Sequence, residues 1–131
     1  MMEIDERDDP RLPLVKGYGP DHFTLAGVRV EGAVLVLPEG WVRLGPLSLD
    51  EVGPAHLEAL QEADPPIDLL LLGTGARWQE IPSSIARLLK TMDVRAESMA
   101  SAAAARTFNV LLLEDRRVAC LLLPVGDLPS Q

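Results

Sequence analysis

The chain has 131 residues, of which 47% are hydrophobic and 24% charged, ordinary proportions for one folded domain. Twenty acidic side chains against twelve basic ones give a net charge of −8. That balance excludes a phosphate-backbone binder, which needs a basic face, and argues against docking on an anionic membrane, so no nucleic-acid partner is expected.

Residues 1–20 are acidic and then rich in Pro and Gly, which predicts a flexible N-terminal arm. The first residues are too acidic for a secretory or transit peptide. A single domain is expected over 21–125, and a frayed tail over 126–131. His22-Phe23-Thr24-Leu25 reads as a short strand. Gly27–Gly32 alternates apolar and polar residues, the period of a half-buried strand. Glu31-Gly32 is expected to turn a hairpin into a second strand, Ala33–Leu37. Pro38-Glu39-Gly40 ends that strand, and Trp41 opens an irregular link. Ser48 followed by Glu51 has the spacing of a capping box. A helix is predicted from Pro54 to Ala63, with Leu57 and Leu60 inward, and Pro65-Pro66 stops it.

Ile67–Leu72 is almost wholly apolar, which predicts a central strand covered on both faces. Gly73-Thr74-Gly75 ends it. A helix from Pro82 to Thr91 places Ile85, Leu88, Leu89 and Met92 on one side and Arg87 and Lys90 on the other. Val94–Glu97 alternates as a strand. The alanine run from Ser101 starts a helix that Ala105, Phe108 and Leu112 carry to about Leu113. Arg117–Leu123 is the last strand. It contains the single cysteine, Cys120, expected as a buried and inert thiol. No apolar run approaches the ~20 residues of a membrane helix, so no membrane insertion is expected. With no disulfide possible, the expected location is the cytoplasm.

Strands alternating with helices imply an α/β fold with a largely parallel sheet between helices. Acidic residues concentrate early: 1–70 hold 14 acids and 5 bases, 71–131 hold 6 acids and 7 bases.

Few residues suggest chemistry. Gly73, Thr74 and Gly75 lie where a strand meets a helix, the end of an α/β sheet at which ligands bind. The dinucleotide fingerprint fails, because Trp78 stands where its third glycine belongs, and no phosphate-loop pattern follows. Arg106, Thr107 and Asn109 cluster on the late helix, where Arg106 is expected to reach the 73–77 loop or an anion beside it. Ser83 and Ser84 suit helix capping, and no nucleophile elbow exists. His22 and His56 are too far apart, and soft ligands too few, for a zinc site. No catalytic residue, metal or cofactor is therefore expected. Trp41 and Trp78, if exposed, would be interface residues.

Two motifs carry a family resemblance. Asp68–Gly75, and Ala105–Leu111 followed by Glu114–Ala119, resemble the Mth938-like family over roughly residues 22–124. The resemblance implies a three-layer α/β fold with a central mixed sheet, one strand antiparallel, and an added N-terminal β-hairpin. The family includes a mitochondrial complex I assembly factor and has no established catalytic residues. This chain has Met99-Ala100-Ser101 where many relatives carry Met-Asp-Thr, Ala105 for Cys, Phe108 for Tyr and Asp115 for Gly. Polar site positions are thereby partly lost. The expectation is a non-enzymatic interaction or assembly-type protein with a protein partner. The alternative is a small-ligand or anion-binding domain, weakly enzymatic at most, with its pocket between Gly73–Gly75 and Arg106–Asn109. The oligomeric state is left open.

Overall fold

The computed structural model describes residues 12–126. The ends of the expected arm and tail, 1–11 and 127–131, lie outside the described residues. The chain forms β1 (Val15–Gly19), β2 (His22–Leu25), β3 (Val28–Glu31), β4 (Ala33–Leu37) and β5 (Gly40–Gly45). A 3-10 turn at Pro54–Leu57 leads into α1 (Glu58–Glu62). Then follow β6 (Leu69–Gly73), α2 (Ser83–Thr91), β7 (Arg95–Met99), α3 (Ser101–Leu113) and β8 (Val118–Leu122).

The central sheet has the order β5-β4-β8-β6-β7. β6 pairs in parallel with both β7 and β8, whereas β4 is antiparallel to both its neighbours. β4 is thus the one strand that runs against the other four, as expected of this fold class. The return from β7 to β8 steps over β6, so α2 and α3 cover opposite faces. Side chains alternate accordingly. Val34, Val36, Leu71, Cys120 and Leu122 pack with Phe108 of α3 and Phe23 of the small sheet. Leu35, Leu37, Leu70, Leu72 and Leu121 pack with Ile85 and Leu89 of α2. Both faces of β6 are thereby sealed, which is why its sequence shows no polar alternation. Each fully buried leucine contributes roughly 1.5–3 kcal/mol.

Three expectations change. Residues 15–19, read as part of a flexible arm, form β1, antiparallel to β2. Leu14 and Val15 are buried, and a side chain more than ninety positions away holds this strand, a tie that local pattern does not reveal. The hairpin turn is at Ala26-Gly27, not Glu31-Gly32. Both turn residues have positive φ, 48° and 83°, the geometry that matches strand twist. Gly32 instead carries the chain from the small β1-β2-β3 sheet into the central one. Its φ is +80°, and a Cβ there would meet Gly45 backbone at 2.6 Å. Trp41 belongs to β5, paired with Val36, rather than to an irregular link.

Cys120 is fully buried, and burial pushes its thiol well above the usual range. Thiol labelling at neutral pH should therefore proceed no faster than unfolding. A stoichiometric reaction in the native protein within minutes would contradict this packing.

Candidate functional site

β6, β7 and β8 all deliver their carboxyl ends to one edge of the molecule. The chain leaves β6 toward α2 on one face and leaves β7 toward α3 on the other. Such a divergence between neighbouring strands usually opens a ligand crevice. Here the chain fills it with its own polar groups.

Thr74 is almost fully buried. Its backbone N–H donates to the Met99 carbonyl at 2.8 Å. Its hydroxyl donates to the Arg77 carbonyl at 2.6 Å, with the Met99 carbonyl 3.1 Å away, and accepts the Gln79 N–H at 3.0 Å. The Gln79 side-chain amide returns to the Thr74 carbonyl at 3.0 Å. Beside it, the buried Ser101 hydroxyl accepts the Gly75 N–H at 2.8 Å and donates to the Leu123 carbonyl at 2.6 Å. The Ser101 N–H donates to the Gly75 carbonyl at 2.8 Å. Gly73 and Gly75 are required for this closeness. A Cβ at Gly73 would sit 2.9 Å from the Ser101 hydroxyl, and Gly75 has φ +97°.

The effect is a fastened loop. Residues 76–80 are exposed, yet their base is tied at Thr74 and Gln79. Trp78 projects from this loop with 62% of its surface exposed.

The second sequence-predicted group lies elsewhere. Asn109 is eight residues along α3 from Ser101, a rise of about 12 Å. Its side-chain carbonyl accepts the Val15 N–H at 2.9 Å and its amide donates to the Val15 carbonyl at 2.8 Å, fastening β1 to α3. Thr107 is half-buried on the same helix. Arg106 is exposed and makes no hydrogen bond or ion pair with the described residues. The expected bridge from Arg106 to the 73–77 loop is therefore not formed. Helical geometry explains this: five residues past Ser101, Arg106 is turned about 140° away from it. Gly73, Thr74 and Gly75 come together with Ser101 and Gln79, not with Arg106, Thr107 and Asn109. Ser101 and Gln79 were not singled out as site residues. The only sequence signal for Ser101 is a hydroxyl residue placed directly before an alanine run.

Asp21, His22 and Glu31 offer ligand atoms within 4.8 Å of one another on the surface. Arg29 already answers both carboxylates, at 3.6 Å to Asp21 and 3.1 Å to Glu31. The hydrogen bond from His22, aided by Arg29, holds the Asp21 carboxyl below its usual range. Half of the predicted capping box forms, around a single 3-10 turn, Leu49–Glu51: Glu51 reaches back to the Ser48 N–H, while the Glu51 N–H bonds the Ser48 carbonyl and not its hydroxyl. The Ser48 N–H and hydroxyl donate to Glu51 and lower its carboxyl.

These assignments separate by mutation. Ser101→Ala strands the Gly75 N–H and the Leu123 carbonyl, and Asn109→Ala strands both Val15 groups. Each should cost about 1–3 kcal/mol in urea unfolding. Arg106→Ala should stay within about 0.5 kcal/mol of the parent. A loss at Arg106 equal to that at Ser101 would contradict the placement.

Residues 15–123 match the family described as "protein of unknown function (DUF498/DUF598)". The chain is 38% identical over 117 residues to an uncharacterised protein of Rhodobacter capsulatus, covering 88% of this chain and 89% of that one. It is 28% identical over 125 residues to NADH dehydrogenase [ubiquinone] 1 alpha subcomplex assembly factor 3 of Xenopus tropicalis, covering 95% of this chain and 68% of the relative. A Bordetella pertussis protein solved by NMR, described as a Mth938-like domain, superposes with a TM-score of 0.77 at 26% identity, covering 99% and 94% of the two chains. The crossed sheet, the small antiparallel sheet laid against α3 and the matched span agree: this chain belongs to the DUF498/DUF598 family and has the Mth938-like fold.

Proposed function

We propose that this chain is a non-enzymatic interaction protein of assembly type, and that a protein partner docks on the 76–80 loop through Trp78. The observation that carries the reading is the exposed indole on a loop whose base is hydrogen-bonded in place. Tryptophan is the side chain most enriched among interface anchors, and a fixed loop loses little entropy on binding. Arg77 and Glu80 supply a charged rim. The crevice that would serve a small molecule has its hydroxyls engaged internally, which favours a surface over a pocket. Relatives named NADH dehydrogenase [ubiquinone] 1 alpha subcomplex assembly factor 3 support the same class of work. No helix among the described residues is long and apolar enough to cross a membrane. A lone reduced thiol suits a reducing compartment, and the reading places the protein in the cytoplasm.

The test is quantitative co-purification from the native cell with the wild type and Trp78→Ala. The variant should lose its specific partner by about thirtyfold or more in affinity, as hot-spot anchors do. Its melting temperature should move by no more than about 2 °C, because the side chain is exposed. A panel of phosphates, nucleotides and carboxylates should leave the melting temperature unchanged. Undiminished partner capture by Trp78→Ala, or a concentration-dependent rise with one of those ligands, would overturn the reading.

A further inference from the structure

β7 ends the central sheet with no strand on its outer side. Arg95 and Met99 turn their backbone groups inward: the Arg95 N–H donates to Asp68 and the Met99 carbonyl accepts from Thr74. Parallel pairing alternates, so Ala96 and Ser98 present N–H and C=O outward. Pairing with β6 runs unbroken from Arg95 to Met99. Of the other sheet edges, β1 carries a register shift at 15–17 and β5 pairs with β4 through a shift at 33–34, whereas the four-residue β3 pairs unbroken with β2. Open clefts also flank β7, about 290 Å³ toward α2 and about 610 Å³ toward α3.

The charges on this edge are complementary to themselves. Arg95 and Glu97 are exposed on the same face and have no side-chain partner among the described residues. Two antiparallel copies of β7, centred on Ala96, would exchange both Ala96 hydrogen bonds across the two-fold axis. Arg95 of each copy then lies directly opposite Glu97 of the other, in the non-hydrogen-bonded position where side chains approach most closely. Arg116 lines the same α3-side cleft and adds a second cation beside the incoming carboxylate. Centring on Glu97 instead would oppose two like charges.

We propose that β7 is a dimerisation edge, at which two copies of this chain pair antiparallel about Ala96 with each Arg95 facing the other copy's Glu97. The interface is isologous and joins two five-stranded sheets into one continuous sheet. It lies on the sheet edge, separate from the Trp78 loop, and stands independently of the partner proposed there. The interface is small, so the dimer forms at a dissociation constant of roughly 10–100 μM at physiological salt. At that ionic strength the mutual repulsion of two acidic chains is screened beyond about 8 Å.

The test uses the full chain in sedimentation velocity, with far-UV circular dichroism as the folding check. The wild type should shift from monomer to dimer as concentration rises. Arg95→Glu and Glu97→Arg should each weaken the dimer by about thirtyfold, since each turns two attractive cross-strand pairs repulsive. An equimolar mixture of the two variants should form a heterodimer, because every cross-strand pair in it is again opposite in sign. The double variant Arg95→Glu/Glu97→Arg should dimerise like the wild type. A wild type that stays monomeric at about 1 mM overturns the proposal. So do single variants that dimerise undiminished, and so does failure of both the mixture and the double variant to recover the dimer.

Discussion

One buried hydroxyl organises the carboxyl end of this sheet. Ser101 stands at the first turn of α3, accepts from Gly75 and donates to Leu123. Three stretches of chain far apart in sequence meet at that oxygen: the loop after β6, the start of α3 and the exit from β8. A buried hydroxyl must be satisfied, and so must the peptide groups around it, because water cannot reach them. The contact requires a glycine at 73, where any side chain would collide with Ser101, and a left-handed residue at 75. Thr74, locked between these glycines, then fixes the base of the next loop. The position of Trp78 thus depends on packing at Ser101, relayed through Thr74 to the Arg77 carbonyl and to Gln79.

This arrangement inverts the usual use of the fold. In open α/β sheets the divergence of neighbouring connections leaves a crevice for a ligand. Here the strand ends diverge in the same way, but hydroxyls and backbone groups close the gap. What the molecule offers outward is surface: an indole on a fixed loop at one end, and an unblunted strand along one side.

Much of the fold was legible because it follows from periodicity. The unbroken leucines of 69–72 could only be a strand covered twice, and α3 ends at Leu113 as the Ala105, Phe108 and Leu112 spacing requires. β1 is not legible in the sequence because two glycines interrupt its five residues and its anchor, Asn109, is remote. The hairpin turn is hidden in the sequence because Ala26 takes a left-handed conformation that its side chain does not advertise. The site divided along the same line. Gly73 and Gly75 announced a tight junction, and the junction exists. Arg106 and Asn109 lie one turn apart on nearby sides of α3, yet Asn109 bonds Val15 of β1 while Arg106 is exposed. What separates them is the strand that packs beside Asn109, and sequence proximity on the helix does not reveal it.

The central claim is that the carboxyl end is an internally satisfied latch that holds the Trp78 loop in place. Amide hydrogen exchange of the free wild-type protein, resolved by residue, tests it most directly. The Gly75 and Gln79 amides, whose acceptors are the Ser101 and Thr74 hydroxyls, should be protected to a degree approaching that of β6, while Trp78 between them exchanges fast. Gly75 and Gln79 exchanging at the rate of an open loop would mean that the latch does not hold, and the account of this end of the molecule would fail.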